Sequence, residues 1–263
     1  MSKQSVEAKV EDGAALQVRS GDIHCVLSSK GGVGKTFVAS LIAQYWIWNK
    51  RPIHVLDMDQ SNMMLARVPD LKAEQIRLLT DGKFDSTKLD AIIRRMVATP
   101  DTYLIDVGAS TFQNLWHYFF DHDIFSLIRS EGRRIVIHSV VCGGQELVDT
   151  VSSFVDVCKQ ITGRQVVVWV NPIRGAVEAN GKEFLESKAF TENEGKVLAV
   201  VRMPKPDESV EVELRRLGQA NKSLLHIETD NDLDFLTKHR LKRHRDSLFE
   251  AMAQVWEAVD AQS

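Results

Sequence analysis

Three cysteines among 263 residues, Cys25, Cys142 and Cys158, are too few and too scattered for a disulfide framework. Their number suits a reducing compartment, where a buried thiol behaves as a small apolar side chain. Long apolar runs are missing too. The longest, Phe37 to Trp48, is roughly a dozen residues interrupted by Ser40 and Gln44, well short of the ~20 that span a bilayer. The opening stretch MSKQSVEAKVEDGAALQVRSGD has no apolar core and does not read as a signal peptide. Residues 1–20 are expected to form a disordered extension. Charge of one sign is not in excess either. Lys and Arg number 33 against 36 Asp and Glu, a net −3, so contact with nucleic acid or an anionic membrane would need a local patch. Neither an internal repeat nor a linker divides the chain, and 21–263 reads as one domain of a soluble, cytoplasmic protein.

What is present is an alternation of β-branched apolar runs with amphipathic stretches, the pattern of a mostly parallel sheet between helices. Strands are expected at Ile23–Leu27, Ile53–Leu56, Thr102–Ile105, Arg134–Val141, Gln165–Val170 and Lys196–Val201. Helices are expected over Thr36–Asn49, from the Asp85 cap to Val97, within Thr111–Ser130, up to Gln160, and from Asp232 onward. A short helix is also expected over Ser61–Arg67, while Leu71–Phe84 is ambiguous. In the tail Leu241, Leu248, Phe249, Met252, Val255, Trp256 and Val259 make one apolar stripe.

Between the first strand and the first helix stands Lys30-Gly31-Gly32-Val33-Gly34-Lys35-Thr36. Strand, glycine-rich turn and helix in that order make a phosphate loop. Its glycines let consecutive backbone N–H groups point at a phosphate, and the new helix adds the positive end of its dipole. Lys35 would reach the β- and γ-phosphates of ATP, and Thr36 would offer its hydroxyl to Mg2+. The usual first glycine is replaced by Ser29, and an additional lysine, Lys30, stands next to it. Gly31 to Thr36, with Phe37 after them, are the expected nucleotide contacts.

Carboxylates follow at two strand ends, Asp57 and Asp59 after the second strand and Asp106, with Gly108, after the third. Ligands of parallel sheets gather at the carboxyl ends of strands. Asn171-Pro172 ends a later strand, and Met203-Pro204 follows the next. Alone, each of these also reads as a turn or a cap.

The loop with its early lysine, D-x-D and D-x-x-type strand ends resembles the deviant-loop ATPases of the ParA and MinD superfamily. That resemblance implies a three-layer α-β-α fold, ATP and Mg2+ as ligands, and slow ATP hydrolysis. It also implies an ATP-dependent homodimer in which Lys30 contacts the partner's nucleotide. Asp59 would position the attacking water, Asp106 would hold the Mg2+ shell through water, and Asp57 would support the loop and metal. Asn171 would bond the adenine, with Met203 and Pro204 covering it, and Gly108 would let the switch backbone approach the γ-phosphate. Two departures stand out: Gln60 occupies a position where many partition ATPases have proline, and the third-strand motif is D-V-G-A-S. Longer stretches, Ile105–Phe112, Val136–Gln145, Val167–Pro172 and Gly181–Phe184, look like the TraL-type proteins of plasmid transfer regions. A role in conjugation follows from that resemblance, with transfer or relaxosome proteins as partners. Two alternatives stay open: phosphotransfer to a small molecule, as in biotin-pathway ligases of related fold, and a nucleotide-dependent binding module with negligible hydrolysis.

Weaker features take plainer readings. The basic run Lys238–Arg245 is expected to be the solvated side of a packed helix, although it could touch DNA phosphates. Glu257 and Asp260 argue against a MinD-type membrane helix. Cys142 lacks the second ligand that an iron–sulfur cluster would need. His24, His54 and His138 are expected to be hydrogen-bonded core residues.

Overall fold

The β-branched runs become strands because helices cover both faces of the sheet they form. The computed structural model describes residues 21–28 and 30–260, with side chains through Trp256. The expected N-terminal extension and Ser29 lie outside that description, as do the side chains of Val259 and the acidic C-terminal end. The sheet contains β1 (Ile23–Leu27), β2 (His54–Asp57), β3 (Glu74–Gln75), β4 (Tyr103–Asp106), β5 (Ile135–Cys142), β6 (Val166–Asn171) and β7 (Val197–Arg202). Their order is β7-β6-β5-β1-β4-β2-β3, and every pairing is parallel.

The helices are α1 (Lys35–Trp48), α2 (Ser86–Ala98), α3 (Ala109–Asp121), α4 (Ile124–Ser130), α5 (Leu147–Gln160), α6 (Lys188–Thr191), α7 (Glu208–Gln219) and α8 (Phe235–Asp260). Alternation along β1 shows how they divide. Ile23, Cys25 and Leu27 face one apolar core with α2, α3, α4 and α5, whereas Val26 faces a second core with α1, α7 and α8. This is the expected three-layer α/β architecture. The α8 stripe packs as its spacing predicts, with Leu241, Leu248, Phe249, Met252, Val255 and Trp256 all buried.

Local chemistry sets the helix limits. The Asp85 carboxylate accepts the Lys88 N–H at 3.1 Å and starts α2; Asp207 accepts the Val210 N–H at 2.9 Å and starts α7. Asp123, at φ +47°, divides the expected helical region at Thr111–Ser130 into α3 and α4. The expected helix over 61–67 does not form. Only single turns occur, at Leu65–Arg67 and Pro69–Leu71, because strand-end carboxylates hold this segment's backbone in place of a helical ladder. The ambiguous Leu71–Phe84 stretch supplies β3 and a two-stranded ribbon, Leu79–Thr80 against Lys83–Phe84.

Because the strands run parallel, Leu27, Asp57, Asp106, Cys142 and Asn171 all end on one edge of the sheet. That edge carries the candidate site.

Candidate functional site

Glycine is required twice in the loop between β1 and α1. Gly32 has φ +75° and Gly34, the residue that caps α1, has φ +98°. A Cβ on Gly34 would also approach the Asn171 amide nitrogen to 2.8 Å. Lys35 opens α1 and is buried, its Nζ donating to the Lys30 carbonyl at 2.6 Å across the loop. Burial lowers its pKa, while Asp106 and Asp59 pull in the opposite direction. Lys30 points away from this cradle. Its Nζ lies 2.7 Å from Asp149 Oδ2 in the first turn of α5, an exposed pair within one chain.

The carboxylates separate by role. Asp57 and Asp106 are register partners on adjacent strands, and both are buried. Asp57 spends both oxygens on backbone: Oδ1 accepts the Asp59 N–H at 3.2 Å and Oδ2 the Ala66 N–H at 3.0 Å. It holds the post-β2 loop in shape. Neither oxygen of Asp106 has a partner in hydrogen-bonding geometry. Its pKa is pushed up to about 7, chiefly by burial and further by Asp57 and Asp59; the Thr36 hydroxyl and Lys35 offset part of this.

Asp59 lines the open cleft, accepts the Ser61 N–H at 3.1 Å, and packs against Gly108, where any Cβ would collide with its carboxylate. Gly108 is therefore needed for close approach, its φ of −66° being ordinary. A 3.1 Å contact between the Ser61 and Ser110 hydroxyls ties the two strand-end loops together. Gln60 grips Leu79 at both ends of its amide: Nε2 donates to the Leu79 carbonyl at 2.9 Å, and Oε1 accepts the Leu79 N–H. This residue, conspicuous in the sequence only as a departure, anchors the Asp59 loop to the 79–84 ribbon.

The site fits magnesium. Among the described residues no three His, Cys, Asp or Glu converge on one point, so a cation here cannot rest on a carboxylate cage. Mg2+ needs none, since it keeps waters and takes phosphate oxygens together with one or two protein groups. The Thr36 hydroxyl and the Asp106 oxygens, which have no partner in hydrogen-bonding geometry, are suited to that part.

A cleft of about 540 Å3 opens above the loop. Gly31, Gly32, Gly34, Lys35, Thr36 and Asp59 line one end, and Phe37, Ser40 and Gln44 of α1 continue it toward Leu214 and Leu217 of α7. Val33 is buried beneath it. The expected base contacts are placed differently. Asn171 is buried, its Nδ2 donating to the Val33 carbonyl at 3.2 Å and its Oδ1 accepting the Ile173 N–H at 3.2 Å, so it braces the phosphate loop. Met203 is buried in the α1–α7–α8 core, and neither it nor Pro204 lines the cleft.

Sequence reasoning passed over Arg174, whose guanidinium donates to the Gly32 carbonyl at 3.1 Å and to Glu146 at 3.2 Å. Its only sequence signal is lying three residues after Asn171. His24 and His138 are hydrogen-bonded inside the core. Trp169 Nε1 donates to His138 Nδ1 at 3.0 Å, which leaves His138 Nε2 to donate to His24 Nδ1 at 3.0 Å. His54 departs from the expected core role: its side chain is half-exposed, 3.1 Å from Asp101. In the basic run, Arg245 is buried, bonded to Glu228 and Asp246 and lying over the Trp48 ring, and Lys242 also faces Glu228. Cys142 is buried, as are Cys25 and Cys158. No helix among the described residues is long and apolar enough to cross a membrane.

No protein-family profile matches the chain. It is similar to two proteins named TraL from Escherichia coli. One is 33% identical over 232 residues, covering 88% of this chain and 96% of that protein. The other is 33% identical over 229 residues, covering 86% and 95%. Among solved structures, a ParA family ATPase from Chlorobium tepidum TLS matches at 13% identity and TM-score 0.43, covering 85% of this chain and 97% of its own. A nucleotide-binding protein in complex with ADP from Archaeoglobus fulgidus matches at 13% identity and TM-score 0.36, covering 76% and 88%.

Proposed function

The chain belongs to the TraL family, and from that premise we propose that it is a Mg2+-dependent ATPase whose nucleotide state controls the pairing of two subunits in conjugative plasmid transfer. The observation that carries the nucleotide reading is the pairing of a buried Lys35 ammonium, folded onto its own loop, with an unpartnered buried carboxylate at Asp106. Both arrangements are costly in a resting protein, and both are relieved by one ligand, a magnesium-bound triphosphate.

Each residue then has a task. Lys35 exchanges the Lys30 carbonyl for β- and γ-phosphate oxygens, and backbone N–H groups of Gly31 to Thr36 receive the rest. Thr36 and an ionised Asp106 would hold the cation. Magnesium supplies positive charge against the charge that develops on the transferring phosphoryl group. Asp59, fixed between Gly108 and the Ser61 N–H, orients the attacking water. Lys30 is held by an exposed ion pair with Asp149, which contributes little on its own. It is free to exchange that partner for a nucleotide on a second subunit.

Size-exclusion chromatography with light scattering tests the switch. Asp59→Ala with Mg·ATP should run as a dimer and with ADP as a monomer. A monomer in both states, in wild type and variant alike, removes the dimerisation reading. The cleft's continuation over Phe37, Ser40 and Gln44 supports a second reading, transfer of the γ-phosphoryl group to a small acceptor lying there. Phosphate release from water alone favours the first reading; turnover that depends on a metabolite and phosphorylates it favours the second.

A further inference from the structure

Charge at the phosphate loop does not balance with Lys35 alone. Lys35 faces Asp59 and Asp106, with Asp57 behind them, and Lys30 is engaged by Asp149. A nucleoside triphosphate brings more negative charge than one magnesium ion and one ammonium offset. Within one subunit Lys222, which lines the cleft, is bonded to Asp230 and Asp232, and Arg174, in contact with the loop at the Gly32 carbonyl, is a cation placed to add positive charge. Two of its guanidinium nitrogens reach the Gly32 carbonyl and Glu146, and a guanidinium carries five N–H donors, so about three remain. The side chain is half-exposed beside Gly32, which lines the cleft.

The segment bearing Arg174 is seated by its backbone, independently of that ion pair. Gly143 and Gly144 have no Cβ where the Gly175 and Arg174 carbonyls press on them; a Cβ on Gly144 would come 2.6 Å from the Arg174 oxygen. The Gly143 N–H donates to the Asn171 carbonyl at 3.3 Å, the Gly175 N–H to the Pro172 carbonyl at 3.1 Å, and Asn171 is bonded to Val33. A planar, permanently charged fork on a fixed backbone, touching the loop's own carbonyl, suits bidentate recognition of phosphate oxygens.

We infer that Arg174 is a nucleotide ligand, contacting the phosphate chain with the N–H groups that Gly32 and Glu146 leave unused, and that Glu146 competes for it. The inference rests on the reading of this loop as a nucleotide site. The competing role, a strap from Glu146 through Arg174 to Gly32 that only props the loop, predicts a different pattern among variants.

Calorimetric titration of Mg·ATP into the full chain separates the two. Arg174→Ala should weaken binding tenfold or more, and Arg174→Lys should recover part of that loss. Glu146→Ala frees a donor and removes a negative charge, so it should leave affinity equal or tighter. Unchanged affinity in Arg174→Ala, or parallel losses in Arg174→Ala and Glu146→Ala, would overturn the assignment. Wild-type protein that takes up no Mg·ATP would instead remove the nucleotide reading itself.

Discussion

Replacing Asp106 by Asn should stabilise the nucleotide-free protein at neutral and alkaline pH while disabling the magnesium site proposed above. The carboxyl ordinarily titrates at 3.8, and in the folded protein burial pushes it up to about 7. Between those values the folded chain holds a proton that the unfolded chain has released. Stability is therefore fully present below pH 3.8 and is lost as pH rises toward 7. A gap of about three pH units, at about 1.4 kcal/mol each, makes the loss about 4 kcal/mol above neutrality. Asn keeps the shape and never ionises. The amide brings two N–H donors where the neutral acid has one O–H, a cost smaller than that of the buried carboxylate it removes. Urea denaturation of both proteins from pH 4 to 8.5, without nucleotide, gives the readout. The variant should match wild type near pH 4 and exceed it increasingly up to pH 7–8. A difference that is flat across that range, or a variant less stable at pH 8, would refute the reasoning.

Two other perturbations follow from the same geometry. Burial holds His24 at about 3 and His138 well below its ordinary value of 6.5, so the unfolded chain takes up protons there first. Stability present above pH 6.5 should fall as pH drops, about tenfold in the folding equilibrium per pH unit for His24 as pH approaches 3, with His138 adding loss in the same direction. Replacing both rings by Gln should flatten that acid limb in denaturation experiments; an unchanged limb contradicts the assignment. Gly108→Ala would force its Cβ into the Asp59 carboxylate and to 2.9 Å from Asp59 Cα. Phosphate-release kinetics should show kcat falling at least tenfold with KM nearly constant, and loss confined to KM would count against Asp59 as the water-orienting group.

The sheet was legible in the sequence because parallel strands are buried on both faces and therefore spell out unbroken apolar runs such as Val166–Val170. The phosphate loop was legible because positive φ leaves little choice but glycine at Gly32 and Gly34. Other features depend on contacts that no local pattern encodes. Asn171 could be placed at a strand end, yet its amide turns to Val33, 138 residues away, which becomes visible only once β6 and the loop lie together. Helix α7 escaped notice because Glu208, Glu211, Glu213, Arg215 and Arg216 leave it only a thin apolar edge. The segment after Asp59 has apolar spacing suited to a helix, but Asp57 and Asp59 capture its N–H groups first. Gln60 has no sequence signal for its role, because its amide meets the Leu79 backbone 19 residues away.

The central claim is that Mg·ATP binds in the loop at Lys35, and equilibrium titration of ATP with and without Mg2+ tests it directly. Wild-type protein should bind ATP in a Mg2+-dependent manner, and Lys35→Ala, with its fold intact by circular dichroism, should lose at least a hundredfold in affinity. Equal ATP affinity in the two proteins, or none in wild type, would contradict the account.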